Sequence, residues 1–221
     1  MKKIIFLSLV FGLLTVACKP DKKEQKAESK IESSSKDDVK KSSPDTQNPT
    51  HKVDLSKSKI TWKGYKPTGT HNGLVNLKEG GVEYEGNKIK NAYFIFDMKS
   101  ITCLDIPADD DYNQKLVKHL NSPDFFDTEN HPTAMFTLAE ITGDAGQTNF
   151  VGDLTLKGIT KSVSFPVNIT EVEGGLQVSA KPFMVDRTEF NIQYKSKKFF
   201  DNLKDKFIND KFEIAFDISL K

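Results

Sequence analysis

The stretch KFEIAFDISLK, residues 211–221, alternates without interruption. Phe212, Ile214, Phe216, Ile218 and Leu220 fall on one side, and Glu213, Asp217, Ser219 and Lys221 on the other. A period of two marks a strand that is wetted on one face and buried on the other. The same period recurs through the last 170 or so residues. Val163, Phe165, Val167 and Ile169 alternate with Ser162, Ser164, Pro166 and Asn168; Phe94, Phe96 and Met98 line up in NAYFIFDM, and Leu154 with Leu156 in GDLTLKG. Turn signals at Gly80-Gly81, Gly86-Asn87, Gly143 to Gly146 and Gly174-Gly175 separate these runs at hairpin distances. The spacing predicts strands near 52–63, 69–79, 81–85 with 88–99, 133–142, 148–157, 161–173, 176–186 and 211–220.

Two stretches follow a helical period instead. DYNQKLVKHL (Asp111 to Leu120) carries Leu116, Val117 and Leu120 and is stopped by Pro123, while FFDNLKDKFI (Phe199 to Ile208) puts Phe199, Phe200, Leu203 and Phe207 on one stripe. The fold class is all-β with one or two short helices. About eight antiparallel strands joined by hairpins can close on themselves and remove their exposed edges. A barrel of that size has an interior that side chains just fill, or that holds one small ligand. A two-sheet sandwich alternates in the same way, and periodicity does not separate the two.

The N-terminal fifty residues obey different rules. Lys2 and Lys3 precede an apolar run from Ile4 to Val16, which is the length of a secretory segment and too short to cross a bilayer. The run ends at Ala17-Cys18, as in a bacterial lipoprotein signal, although Leu14 stands one place early and Thr15 takes its slot. The expectation is a signal peptide over 1–17 and lipidation of Cys18. From Lys19 to Thr50, eight Lys stand against seven Asp or Glu, with almost nothing to bury. Such a segment is expected to form a disordered tether over 18–50, spanning roughly 30 Å root-mean-square. The product is an exported protein, periplasmic or outer-membrane, that touches the membrane through its N-terminal lipid, with one folded domain over 51–221. The other cysteine, Cys103, then has no partner in the chain and reads as a small apolar residue.

Several function classes find no support. The formal net charge is +1, which gives no reason to expect nucleic acid. His51, His71, His119 and His131 lack the spacing of a zinc helix motif, and neither a nucleophile elbow nor a glycine-rich phosphate loop occurs. Asp109 to Asp111 lacks a calcium-loop spacing and suits a helix start.

Four stretches together resemble one family: GTHNGLVNL (69–77), HLNSPDFFDTENHPTAMF (119–136), FVGDLTLKGITKSVSFPV (150–167) and MVDRTEFNIQY (184–194). Their order and spacing are similar to the YceI-like family of exported, polyisoprenoid-binding, lipocalin-like barrels. The resemblance implies an eight-stranded antiparallel lipocalin-like barrel. It further implies a long apolar pore holding an isoprenoid tail, of a polyprenyl alcohol, a polyprenyl phosphate or a quinone. It implies no catalysis and no cofactor beyond that lipid. The chain departs from the family pattern at Asn191, where a glycine usually stands; Asn also tolerates a left-handed backbone.

Fourteen of the sixteen Phe lie in the folded body, with Trp62 and all five Tyr. Such rings either fill a core or line a tube, and the resemblance favours the tube. Its expected lining is Trp62, Leu74, Phe94, Phe96, Met98, Phe136, Leu154, Phe165, Phe183, Phe190 and Phe216. His71 is placed at the pore mouth as a hydrogen-bonding group, its alternative being a strand histidine satisfied by backbone or water. Arg187 either faces an anionic head group or forms an ion pair with Asp186, Asp201 or Asp205 that pins the last loop. Three functions stay open: a lipid carrier or store, an enzyme acting on a quinone or prenyl lipid, and a structural module with a packed core. Pairing with a second copy, as a homodimer, is open too.

Overall fold

The computed structural model describes residues 49–143 and 146–221. The expected signal segment 1–17, the lipidated Cys18 and the tether as far as residue 48 lie outside the described residues. Nine strands form one antiparallel sheet: β1 (His51–Lys52), β2 (Lys59–Lys66), β3 (Gly69–Glu85), β4 (Lys88–Cys103), β5 (Thr133–Thr142), β6 (Thr148–Leu156), β7 (Ile159–Val172), β8 (Gly175–Asp186) and β9 (Lys211–Leu220). The order is β1-β3-β2-β9-β8-β7-β6-β5-β4, and β3 pairs with β4 to close the ring. Strands β2 to β9 are therefore an eight-stranded barrel, as the alternation and the resemblance predict. The closed ring excludes the open sandwich.

The expected strand 52–63 is broken. Its first part, β1, pairs with Gly81 and Val82 at the far end of β3. The chain then turns at Asp54 before β2 resumes the ladder. The Asp54 carboxylate accepts hydrogen bonds from the amide and hydroxyl of Ser56 (3.1 and 2.6 Å) and from Lys221 Nζ (3.0 Å). Those bonds hold its pKa down at about 2, the Ser56 hydroxyl acting most strongly. A carboxylate depressed in the folded state stabilises the fold above its unfolded value near 3.8 and loses that contribution as pH falls toward about 2. Urea unfolding of Asp54→Asn is therefore expected to show a lower midpoint than wild type at neutral pH. The gap should close as the pH drops from about 4 to about 2; a gap constant across that window refutes the assignment.

The expected turn at Gly80-Gly81 is also corrected. Both glycines lie inside β3, where β-carbons would collide with Phe94 and the Tyr93 carbonyl at position 80 and with Pro49 at position 81. They are required by close approach rather than by turning. The hairpin is at Gly86 and Asn87, whose φ angles of 57° and 59° suit a two-residue turn.

One α-helix, α1 (Asp111–Asn121), occurs among the described residues. Asp110 caps it by accepting the Tyr112 amide. Leu116 and Leu120 pack on the core. Asn113, also buried, donates to the carbonyls of Cys103 and Ile106, which ties the helix to the end of β4. The second expected helix does not form. Asn202 and Lys204 take left-handed backbone, leaving only a short 3-10 turn at Lys204–Lys206, and Phe199 and Phe200 stay half exposed. Asn191 has φ 57° and ψ 29°, so it supplies the left-handed residue for which the family pattern uses glycine.

Within the ring β2 to β9, even-numbered strands run one way and odd-numbered strands the other. The two long connections, 104–132 with α1 and 187–210, therefore cover the same end of the barrel. The opposite half is filled by protein: Val82, Phe150, Leu176 and Val178 are fully buried there.

Candidate functional site

The covered half is hollow. It encloses a void of about 160 Å³, walled by alternate residues of the strands and by the two long connections. On β9, Phe212, Ile214, Phe216 and Ile218 all face it, which is the face that the 211–221 alternation picks out. On β4, Phe94, Phe96 and Met98 face inward. Then a local irregularity, in which the Ser100 hydroxyl donates to the Asp97 carbonyl, shifts the phase so that Ile101 is the next inward residue.

Ten of the thirteen residues expected at the pore line this void: Trp62, Phe94, Phe96, Met98, Phe136, Leu154, Phe165, Phe183, Arg187 and Phe216. Phe165 is the hub of the rings. It stacks on Phe183 (centroids 4.5 Å, interplanar angle 14°) and meets Phe136, Phe150 and Phe216 at 5.2, 6.2 and 5.8 Å. Three expected residues lie elsewhere. Leu74 pairs with Thr61 and Thr102, one step out of phase with the inward row Trp62, Gly73 and Cys103, so it faces outward. Phe190 is buried in the 3-10 turn after β8, away from the void. His71 stands at the rim, bound through Nδ1 to Asp105 Oδ2 at 2.8 Å. Burial pushes the Asp105 carboxyl up, but hydrogen bonds from the Asn72 amide, His71 and Cys103 outweigh it and leave the pKa below its ordinary value.

Among the described residues Arg187 is the one charged group in the wall, and its side chain is only 4% exposed. Its guanidinium donates to the carbonyls of Ile192 (2.6 Å), Ile208 (3.0 Å) and Asn209 (3.0 Å) and lies 3.6 Å from Asp210. The ion-pair alternative is thus the observed one, with Asp210 in place of Asp186, Asp201 or Asp205. Burial lowers the Arg187 pKa, and the nearby carboxylates of Asp210 and Asp186 oppose that. Three hydrogen bonds, one from each guanidinium nitrogen, hold the 187–210 connection over the barrel. The Trp62 indole N–H is likewise satisfied, by the Thr102 carbonyl at 3.1 Å. A guest in the void meets hydrocarbon and ring faces.

Sequence reasoning missed the lining that comes from the connections: Leu120, Phe125, Phe126, Ile192 and Ile208. Only the aromatic pair in SPDFFD hinted at it. Ile60 and Val75, by contrast, lie on strand faces whose phase was legible.

A model of the YceI-like domain matches residues 51–220 of the chain. The chain belongs to the YceI-like family. Protein YceI of Escherichia coli O157:H7 is 40% identical over 52 residues, 24% of this chain and 27% of that protein. UPF0312 protein plu2095 of Photorhabdus laumondii is 48% identical over 46 residues, 21% of this chain and 24% of that protein. The chain thus spans about a quarter of the length of the curated relatives it matches. The YceI-like barrel also resembles two solved structures. BcnA of Burkholderia cenocepacia has a TM-score of 0.61 at 21% identity, with 76% of this chain and 98% of that one covered. A polyisoprenoid binding domain from Saccharophagus degradans, implicated in plant cell wall breakdown, has a TM-score of 0.59 at 13% identity, with 79% and 99% covered. At these identities the likeness is one of fold.

Proposed function

We propose that this YceI-like barrel is a non-enzymatic carrier or store for an isoprenoid lipid, with the tail in the lumen and the head group outside. The observation that carries this reading is the void of about 160 Å³, whose walls are apolar apart from Asn209 and the Arg187 side chain, which is bound to three backbone carbonyls. Apolar cavities of about 150 Å³ stay dry and accept apolar guests. Each methylene moved out of water contributes about 0.8 kcal/mol, offset in part by ordering the chain. The void suits a few isoprene units. The polyisoprenoid binding domain of Saccharophagus degradans shares the fold, which supports a prenyl guest. A lipid on Cys18 and a polar leash to residue 50 would keep the barrel beside the bilayer of the bacterial envelope, where so apolar a ligand resides.

Native mass spectrometry and organic extraction of gently purified protein from its own host test this. A prenyl alcohol, prenyl phosphate or quinone should be recovered; empty protein overturns the reading. Trp62, the only tryptophan, lines the void. Titration with a short prenyl alcohol should therefore change its emission saturably, at one ligand per chain. A linear, unsaturable change would mean partition and no site.

A further inference from the structure

We propose that His71, Cys103 and Asp105 form a zinc-type metal site on the rim of the lumen. Among the described residues these three donors converge: His71 Nδ1, Cys103 Sγ and an Asp105 carboxylate oxygen all lie within 4.8 Å of one another. His71 is 2.8 Å from Asp105 Oδ2, and Cys103 Sγ is 3.4 Å from Asp105 Oδ1. Zinc bonds of about 2.0–2.3 Å place tetrahedral ligands about 3.3–3.6 Å apart. The Cys103–Asp105 separation falls in that range, and the His71–Asp105 one is about half an ångström shorter, a difference that side-chain rotation can take up. The backbone is fixed around the cluster. Gly73 pairs with Cys103, the Leu104 amide donates to the Asn72 carbonyl at 2.8 Å, and the Asn72 amide donates to Asp105 Oδ1 at 2.7 Å. That last bond is the kind of outer contact that orients a ligating carboxylate.

The donor set is one imidazole nitrogen, one sulfur and one carboxylate oxygen, which suits a borderline-soft ion better than calcium or magnesium. The Cys103 thiol is buried and its S–H donates to Asp105 Oδ1. A divalent ion displaces that proton and converts the thiol to a ligating thiolate. The His71 and Asp105 side chains are 29% and 25% exposed, so a fourth position stays open to a water oxygen.

The place in the fold gives the site its interest. His71 pairs with Gly64, and Cys103 pairs with Gly73, which in turn pairs with Trp62; Gly64 and Trp62 both line the void. The cluster is thus on the inner face, at the end where the lumen is covered. None of the three donor side chains lines the void, so the test of the metal site stands or falls separately from the lipid reading.

The test uses the full chain carrying Cys18→Ser, which removes the second thiol, with Co²⁺ as a coloured stand-in for Zn²⁺. The expected result is one Co²⁺ per chain with a thiolate-to-cobalt charge-transfer band and the visible bands of a four-coordinate ion, displaced by Zn²⁺. Absence of the thiolate band overturns the proposal without any further variant. His71→Ala, at a half-exposed position, should weaken binding about 100-fold or more, and Asp105→Asn should weaken it as well. Binding unchanged in His71→Ala, or a thiolate band that survives Cys103→Ser, also overturns it. X-ray absorption of the zinc form should show one sulfur among nitrogen and oxygen neighbours; a shell of oxygen and nitrogen alone refutes the site.

Discussion

Arg187→Ala is expected to lower the free energy of unfolding by about 3–5 kcal/mol, the range for removing one partner of a buried charged cluster. The side chain is only 4% exposed, and its fork donates to three backbone carbonyls. Truncation removes the donors to those oxygens and leaves Asp210, itself only 20% exposed, with Lys198 at 3.9 Å as its remaining cation. The damage is directed. Ile192, Ile208 and Asn209 belong to the connection over the lumen, so hydrogen exchange should quicken across 191–210 more than in β5 or β6. Arg187→Lys should recover only part of the loss, because an ammonium cannot serve three acceptors held in the geometry of a planar fork. Urea unfolding checks the first statement. A loss under about 1 kcal/mol would show that the connection is held by its apolar contacts and not by the guanidinium.

The same arginine shows what the sequence carried and what it did not. The sequence reading offered either a contact to an anionic head group or an ion pair that pins the last loop, and the ion pair is the one observed. The partner, Asp210, lies 23 residues on and was not named, because the stretch between carries no strand alternation and its one helical stripe does not form the expected helix. Strands were legible because burial on one face writes itself into every second residue; β9 is the clearest case. Breaks in that rule were not. The glycines at 80 and 81 look like a turn but stand where Pro49 and Phe94 leave no room for a β-carbon. The stripe of Phe199, Phe200, Leu203 and Phe207 looks helical, yet Asn202 and Lys204 adopt left-handed backbone and break it. Tertiary demands overrode local preference in both cases. The rim cluster was invisible for a similar reason: His71 and Cys103 are 32 residues apart, and only the β3–β4 register brings them together.

Phe165→Ala is expected to cost about 3–5 kcal/mol in ligand-free protein, as deletion of a large buried ring does. Phe165 is 5% exposed and touches four other rings, so the space it leaves cannot close by small shifts. This substitution also separates a lumen from a plain core. Phe165 stands between the void and the packed half that holds Phe150, so its removal lengthens the cavity. A prenyl alcohol that enters the lumen then meets more room, and longer chains should bind the variant at least as tightly as wild type. Saturating ligand should restore part of the lost stability, since anything that binds only the folded state raises it by mass action, about 2.7 kcal/mol at a hundredfold excess over Kd. Leu176→Ala supplies the comparison. It removes a fully buried side chain that does not line the void, at a cost of about 2–5 kcal/mol that no ligand should recover. Thermal unfolding with and without the alcohol distinguishes the outcomes. Rescue of Phe165→Ala alone requires a guest inside the barrel, whereas equal indifference of both variants would make the aromatic rings an ordinary core and end the case for a tube.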